Sequence, residues 1–212
     1  MSGVTQAVFM NQRSFGLIIG QSYEGGYYAG QISTAGNGVA DYNLVIAPKS
    51  SGQNDSKQWK TSNTTTSGTD SNIDGPANSS AMNNASHPAA EFCEGLSIGG
   101  YSDWYMPAKN ELEVCYYNLK PTTTNNNTND GTNTNAVPSR GSNYTTTVPG
   151  QTSATDFLVS TGTERFDSAY YWSSTQRFAA YAWLQYFNGG TQGNYASKDY
   201  YTRVRAVRRV AV

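Results

Sequence analysis

Charge is scarce in this sequence. Only 14% of its 212 residues are Asp, Glu, Lys or Arg, and the formal net charge is -1. A nucleic-acid partner would require a clustered excess of Lys and Arg, which is absent. The one basic concentration is Arg203, Arg205, Arg208 and Arg209, whose alternation with Val and Ala reads as a solvated strand face. Histidine occurs once, as His87, with no partner constellation for acid–base work. Two cysteines, Cys93 and Cys115, do not make a disulfide framework and read as small buried hydrophobes. There is no HExxH, no CxxC pair and no glycine-rich phosphate loop. Glu91, Glu94, Glu111 and Glu113 fall on the polar faces of helical patterns and read as solvated surface. Asp130 and Asp156 stand among Asn residues, without the converging carboxylates a hard cation needs. These absences predict a protein that is not an enzyme and uses no metal or cofactor. No apolar run could span a bilayer, which predicts no membrane insertion. Met1 to Gly16 lacks the basic and apolar regions of a secretory signal, so synthesis and folding in a cytosol are expected.

Uncharged polar residues take the place of charge, alongside 21 Gly and 16 Tyr. Tyr offers large, rigid, amphipathic contact area at low entropic cost, as suits a binding surface. Gly, Asn and Ser also serve a domain rich in loops and short strands. The length allows one full domain with a short appendage. Residues 1–16 form that appendage, an attachment arm, and residues 17–212 the domain. Gly25 to Pro48 alternates as a hairpin, with Pro48 ending its second strand. Residues 49–76 read as a surface loop anchored by Trp59. Met82, Ala85, Ala89, Phe92 and Leu96 make one helical stripe, with a kink or a start at Pro88. A second helix is predicted from about Lys109 to Leu119 with Ala108, Leu112, Cys115 and Leu119 on one stripe, and Cys93 is expected to face Cys115 across the pair. Residues 121–156 are low in complexity and read as a long exposed loop. Strands are expected over Ala169–Ser174, Tyr181–Phe187 and Thr202–Val212, with a turn at Asn188–Asn194. The order predicts an α+β domain: two helices on a small antiparallel sheet built from both chain ends.

Distinctive blocks stand within this frame. Gly100-Tyr101-Ser102-Asp103-Trp104-Tyr105-Met106-Pro107 precedes Glu111-Leu112. Tyr171-Trp172-Ser173-Ser174-Thr175 is followed by Ala182-Trp183 and by Val204-Arg205-Ala206-Val207-Arg208. Together, over roughly residues 85–210, they resemble the C-type-lectin-fold domains of phage tail-fibre proteins and of the C-terminus of collagen-like bacterial adhesins. The hairpin resembles the opening strands of phage members of that group. The blocks themselves read as scaffold: Trp104 and Trp172 fill the helix–sheet junction with indole donors needing buried acceptors, Ser173 to Thr175 satisfy strand-end groups, and Asp103 holds the turn before the helix. Ala108 departs from the family's Thr and removes a helix cap that would pair with Glu111, a loss of about 1 kcal/mol.

The resemblance implies a C-type-lectin-like fold whose recognition face is built by the loops between the last strands, here Gln176–Tyr201. Aromatic faces there stack on sugars or anchor protein contacts, and Asn188, Gln192 and Asn194 supply hydrogen bonds. Alternation sends about half of Tyr181–Phe187 inward, and Trp183 is expected to be buried. The candidate receptor-binding residues are therefore Arg177, Phe178, Tyr181, Tyr186, Asn188, Tyr195, Lys198 and Tyr200. Ordinary turn and trimer-contact aromatics are the competing reading of the same rings. Cytosolic folding of a protein used outside cells points to a virion component. The functional expectation is a non-enzymatic tail-fibre adhesin for a host-cell glycan or protein, held to other virion proteins by residues 1–16 and forming a homo-oligomer such as a trimer. The alternative is a structural part of the particle, a fibre connector or capsid decoration.

Overall fold

The computed structural model describes residues 16–212, the side chain of Asn194 excepted. The arm expected over residues 1–16 lies outside the described residues, Gly16 apart. The chain runs through β1 (Ser22–Tyr23), β2 (Gly26–Ile32), β3 (Tyr42–Ile46), α1 (Lys49–Gly52), β4 (Gln53–Gln58), α2 (Gly75–Ser80), α3 (Pro88–Glu94) and α4 (Lys109–Leu119). There follow β5 (Ala136–Val137), a 3-10 turn (Thr155–Phe157), β6 (Tyr170–Phe178), β7 (Tyr181–Tyr186), β8 (Gln192–Ser197), β9 (Tyr201–Arg205) and β10 (Val207–Ala211). The architecture is α+β, mostly sheet with few helices, as the element pattern predicts.

Two five-stranded sheets replace the single small one expected. The first has the order β1-β2-β3-β10, with β5 on β2. Its hairpin follows the predicted alternation, pairing Tyr27 with Ile46 and Ile32 with Tyr42 around a bulge between Tyr28 and Gly30. Gly30 sits at φ +130°, and a Cβ there would lie 2.4 Å from Asn118 Nδ2. That amide donates to the Ala29 carbonyl at 2.7 Å, so the bulge docks directly on α4. Strand β10 pairs with β3 from Val207–Ile46 to Ala211–Tyr42, so both chain ends meet in one sheet, as expected. The second sheet has the order β4-β9-β6-β7-β8 and contains one parallel pair, β6 with β9.

The long final strand expected over Thr202–Val212 is broken at Ala206. Its amide donates to Gly52 O and its carbonyl accepts from Ala47 N, so β9 and β10 enter different sheets. Residues 49–76 are not merely a loop: they hold α1, β4 and the start of α2. The polar strand QNDSKQ escapes the alternation test because it lies at a sheet edge with neither face buried. Trp59 is the anchor expected, fully buried with its indole donating to Ser173 O at 2.9 Å.

Helix α4 matches its predicted span, and Ala108, Leu112, Cys115 and Leu119 are all buried. Of the two readings at Pro88, a helix start is the one found, with Met82 buried outside the helix and Ala85 exposed. The core has two parts. One packs α4 against the first sheet through Ile32, Leu44, Leu112, Cys115, Tyr116 and Val207. The other gathers Trp59, Met82, Cys93, Trp104, Trp172 and Val204. Cys93 and Cys115 therefore do not face each other. Burial pushes both thiols well above their ordinary pKa.

The 121–156 segment is irregular but not loose. Lys120, at the end of α4, is buried, and its ammonium donates to Thr124 O and Asn126 Oδ1 at 2.6 Å each and to Pro149 O at 3.2 Å. The Tyr116 hydroxyl meets the same Asn126 oxygen at 2.6 Å, while Asn126 Nδ2 donates to Thr145 O and Pro149 O. Asn133 and Tyr144 converge on Glu113, at 2.5 and 2.8 Å, and Arg140 pairs with it. Polar side chains thus bury this segment by satisfying one another, a route that composition does not reveal.

Candidate functional site

The C-terminal sheet is held from beneath by the blocks the sequence singled out. Trp172 is buried with its indole on Lys57 O at 3.0 Å, and Trp104 donates to Tyr101 O at 3.1 Å. Ser173 donates to Trp183 O and Thr175 to Ser71 O. Thr175 Oγ1 also accepts the Lys109 amide at 2.9 Å, while Glu111 accepts the Ala108 amide at 2.8 Å. The cap missing at Ala108 is thus supplied across space from β6. Asp103 does not hold its turn. It forms a forked pair with Arg208, at 2.7 and 2.9 Å.

The expected site residues divide. Phe178, Tyr195 and Tyr200 are exposed by 47%, 69% and 67%. Arg177 is exposed and holds its guanidinium 4.5 Å from the Phe178 ring centre. Tyr181 is half-buried, edge-on to Tyr195 at 5.8 Å. Phe178 also lies 6.4 Å from Tyr195, which links Arg177, Phe178, Tyr181 and Tyr195 in one cluster. Tyr186 is half-buried and stacks on Tyr170 at 4.5 Å. Asn188 is tied into the 121–156 segment, its carbonyl accepting from Thr122 and its side chain from Thr124, so it does not serve as a free contact.

Lys198 is a correction. It is fully buried, donating to Gln176 Oε1 at 2.5 Å and Thr64 O at 3.0 Å, with the Trp59 ring 4.4 Å away. Burial lowers its pKa to about 8, with Lys60 adding repulsion. Trp183 is the reverse case: expected inside, it is half-buried, with Lys109 at 4.8 Å and Arg177 at 5.3 Å over its ring. Tyr170 joins the surface without having been a candidate; it is 41% exposed at the start of β6, ahead of the fully buried Tyr171 and Trp172.

Between these rings lies an open groove of about 510 Å³. Tyr170, Tyr195 and Tyr200 form its walls, Leu184, Gly193 and Ala196 its floor, and Ser197 part of its rim. A bulge in β8 shapes it. Leu184 pairs with Gly193 and Ala182 with Ala196, so β8 spends one more residue than β7 over this interval. The stretch expected to be a plain turn, Asn188–Asn194, instead leads into β8 at Gln192.

The charged residues are committed elsewhere. The four arginines do not form a solvated face. Arg205 is fully buried, donating to Ala47 O and to both the backbone and the carboxylate of Glu164. Arg208 is buried on Asp103, Arg209 holds Glu111 at 2.8 Å, and Arg203 lies near Asp55 and Asp167. Glu111 and Glu113 are fully buried rather than solvated, whereas Glu91 is exposed. Burial raises the pKa of Glu111, opposed by Arg209 and Tyr105. His87 is buried between Thr66, at 2.9 Å, and Asn84, at 2.8 Å. Burial lowers its pKa to about 4, with Lys60 and Lys198 adding to the shift. No group of three or more His, Cys, Asp or Glu able to hold a metal ion occurs among the described residues, and no described helix is long and apolar enough to cross a membrane. What this surface offers chemically is contact: aromatic faces, hydroxyls and a recess.

Residues 51–208 match the model of the Lcl C-terminal domain family. No curated protein matches the chain. Among solved structures, a fimbrial protein from Bacteroides ovatus aligns with 78% of this chain at 15% identity and a TM-score of 0.45. The chain spans 35% of that protein's length.

Proposed function

We propose that this chain, which belongs to the Lcl C-terminal domain family, is a non-enzymatic attachment domain that docks a phage tail fibre on a cell-surface receptor. The observation that carries this reading is the set of exposed rings on the C-terminal sheet and its β8–β9 turn: Phe178, Tyr195, Tyr200 and Tyr201, each between 47% and 69% exposed. Large aromatic side chains left in water on paired strands are costly unless a partner covers them. Rigid aromatics are also the side chains that dominate binding energy at interfaces. The ionisable groups that could serve catalysis, His87, Glu111, Glu113 and Lys198, are buried and hydrogen-bonded to side chains of other segments. A C-type-lectin-like fold accords with this reading, since the ordered sequence blocks fall on the segment that leads into α4, on α4 and on β6, β7, β9 and β10, and both chain ends share one sheet.

Fluorescent full-length protein is to be titrated onto a panel of intact bacterial strains, beside a Phe178→Ala, Tyr195→Ala, Tyr200→Ala variant. Saturable binding by the wild type, lost in a variant of unchanged circular dichroism, is the expected result. A wild type that binds no strain, with these rings buried between subunits in solution, would overturn it in favour of a structural role in the particle.

A further inference from the structure

We infer that the groove between Tyr170, Tyr195 and Tyr200 is a subsite for an uncharged sugar ring; the inference rests on the attachment reading above and names its ligand class. Three features of the groove argue for it. The first is its walls. A pyranose presents a face of C–H bonds that packs on an aromatic ring, with hydroxyls around its edge. Three exposed phenol rings line the groove, and they carry hydroxyls that can bond to sugar hydroxyls.

The second is charge. Apart from the phenols, no ionisable side chain among the described residues lines the groove. The nearby cations are turned away from it: Lys198 points under the sheet to Gln176, Thr64 and Trp59, and Arg177 covers Phe178 and Trp183. Sialylated, sulfated or phosphorylated ligands need a cation or a forked donor to replace their hydration. A neutral sugar does not. The electrostatic match is therefore to an uncharged glycan.

The third is preorganisation. Tyr170 is braced from behind by Tyr186, its cross-strand partner, stacked at 4.5 Å with an interplanar angle of 24°. The extra residue in β8 turns Tyr195 out of the strand's alternation, and Tyr181 and Phe178 support it at 5.8 and 6.4 Å. Gly193 and Ala196 keep the floor low, since a Cβ on Gly193 would already lie 2.6 Å from Leu184 Cδ1. Walls fixed before the ligand arrives lower the entropic cost of binding. A peptide is the competing occupant, because β8 is the open edge of its sheet. It would use the strand's backbone and would not need the opposed rings.

The test is full-length protein on an array of neutral gluco-, galacto- and manno-oligosaccharides, printed beside sialylated and sulfated ones. Retention on a neutral set, competed by the same free oligosaccharide, is expected. Tyr170→Ala and Tyr195→Ala should each weaken it about tenfold, and Tyr195→Trp should retain it. Ala196→Leu, which fills the floor and leaves every ring in place, should abolish retention. Retention confined to acidic glycans, or to neutral ones but indifferent to these variants, would overturn the inference. So would cell binding that survives periodate oxidation of surface sugars, and in that case attachment itself would stand. Absence of cell binding altogether would remove the attachment reading as well.

Discussion

Residues 120–152 carry few apolar side chains, whereas residues 170–201 are crowded with aromatic rings. Burial does not follow that contrast. Lys120, Asn126, Asn133 and Thr152 of the polar stretch are buried, while Tyr170, Phe178, Tyr195 and Tyr200 of the aromatic stretch face water. In the first region the buried side chains of Lys120, Asn126 and Asn133 each meet acceptors, which offsets the desolvation of their polar groups. In the second, place along the strands decides: Tyr170 and Phe178 stand at the two ends of β6, Tyr195 at the bulge of β8 and Tyr200 in the turn before β9. The lesson is that hydrogen-bond closure and position along the strands decide which residues are inside, and composition alone does not. A polar tract this well closed is scaffold, and an aromatic surface this open is available for contact.

Perturbations can break or sharpen the comparison. The largest effect is expected at Glu113, whose carboxylate gathers Arg140, Asn133 and Tyr144. Glu113→Ala strands a partly buried guanidinium and should cost about 3–5 kcal/mol, read as a lowered urea midpoint. Next is Lys120→Met, which keeps the bulk but leaves Thr124 O without its side-chain donor and takes one of two donors from Asn126 Oδ1 and Pro149 O. About 1–3 kcal/mol is expected, again by urea titration, and a neutral outcome would mean that water closes this network.

A smaller effect concerns acid. The folded chain holds His87 near pKa 4 rather than its ordinary 6.5. Between those values the unfolded chain takes up a proton that the folded chain refuses. Stability from this group is therefore complete above pH 6.5 and falls as pH drops towards 4. Urea midpoints should decline over that window in the wild type and decline less in His87→Gln. The smallest stability change belongs to the aromatic surface: Phe178→Ala and Tyr200→Ala should each shift unfolding by no more than about 0.5 kcal/mol while reducing cell binding. A loss of several kcal/mol at either ring would make it part of the core and remove it from the site.

Much of the fold and part of the site are legible in the sequence. The hairpin β2–β3 and the span of α4 follow from periodicities of two and of three to four. The exposure of Phe178, Tyr195 and Tyr200 is legible as well. Strand β4 is not, because an edge strand with two wet faces carries no apolar alternation. Lys198, Asn188 and Trp183 depart from expectation for a related reason: side-chain chemistry predicts an average exposure, and their partners come from distant segments.

What the sequence by itself determined is direction: which residues share a helix face, which alternate across a strand, and which block of chain carries the rings. The tertiary structure alone decided the fate of the charged groups. Arg205 finds Glu164 41 residues away, Arg209 finds Glu111 across 98, and Arg208 finds Asp103 across 105. Burying any one of these alone would be prohibitive, so its location is undefined until the partner arrives. Backbone periodicity is a local property, set by neighbours along the chain. Compensation of buried charge is a property of the closed fold, and it is here what leaves the aromatic face as an open surface.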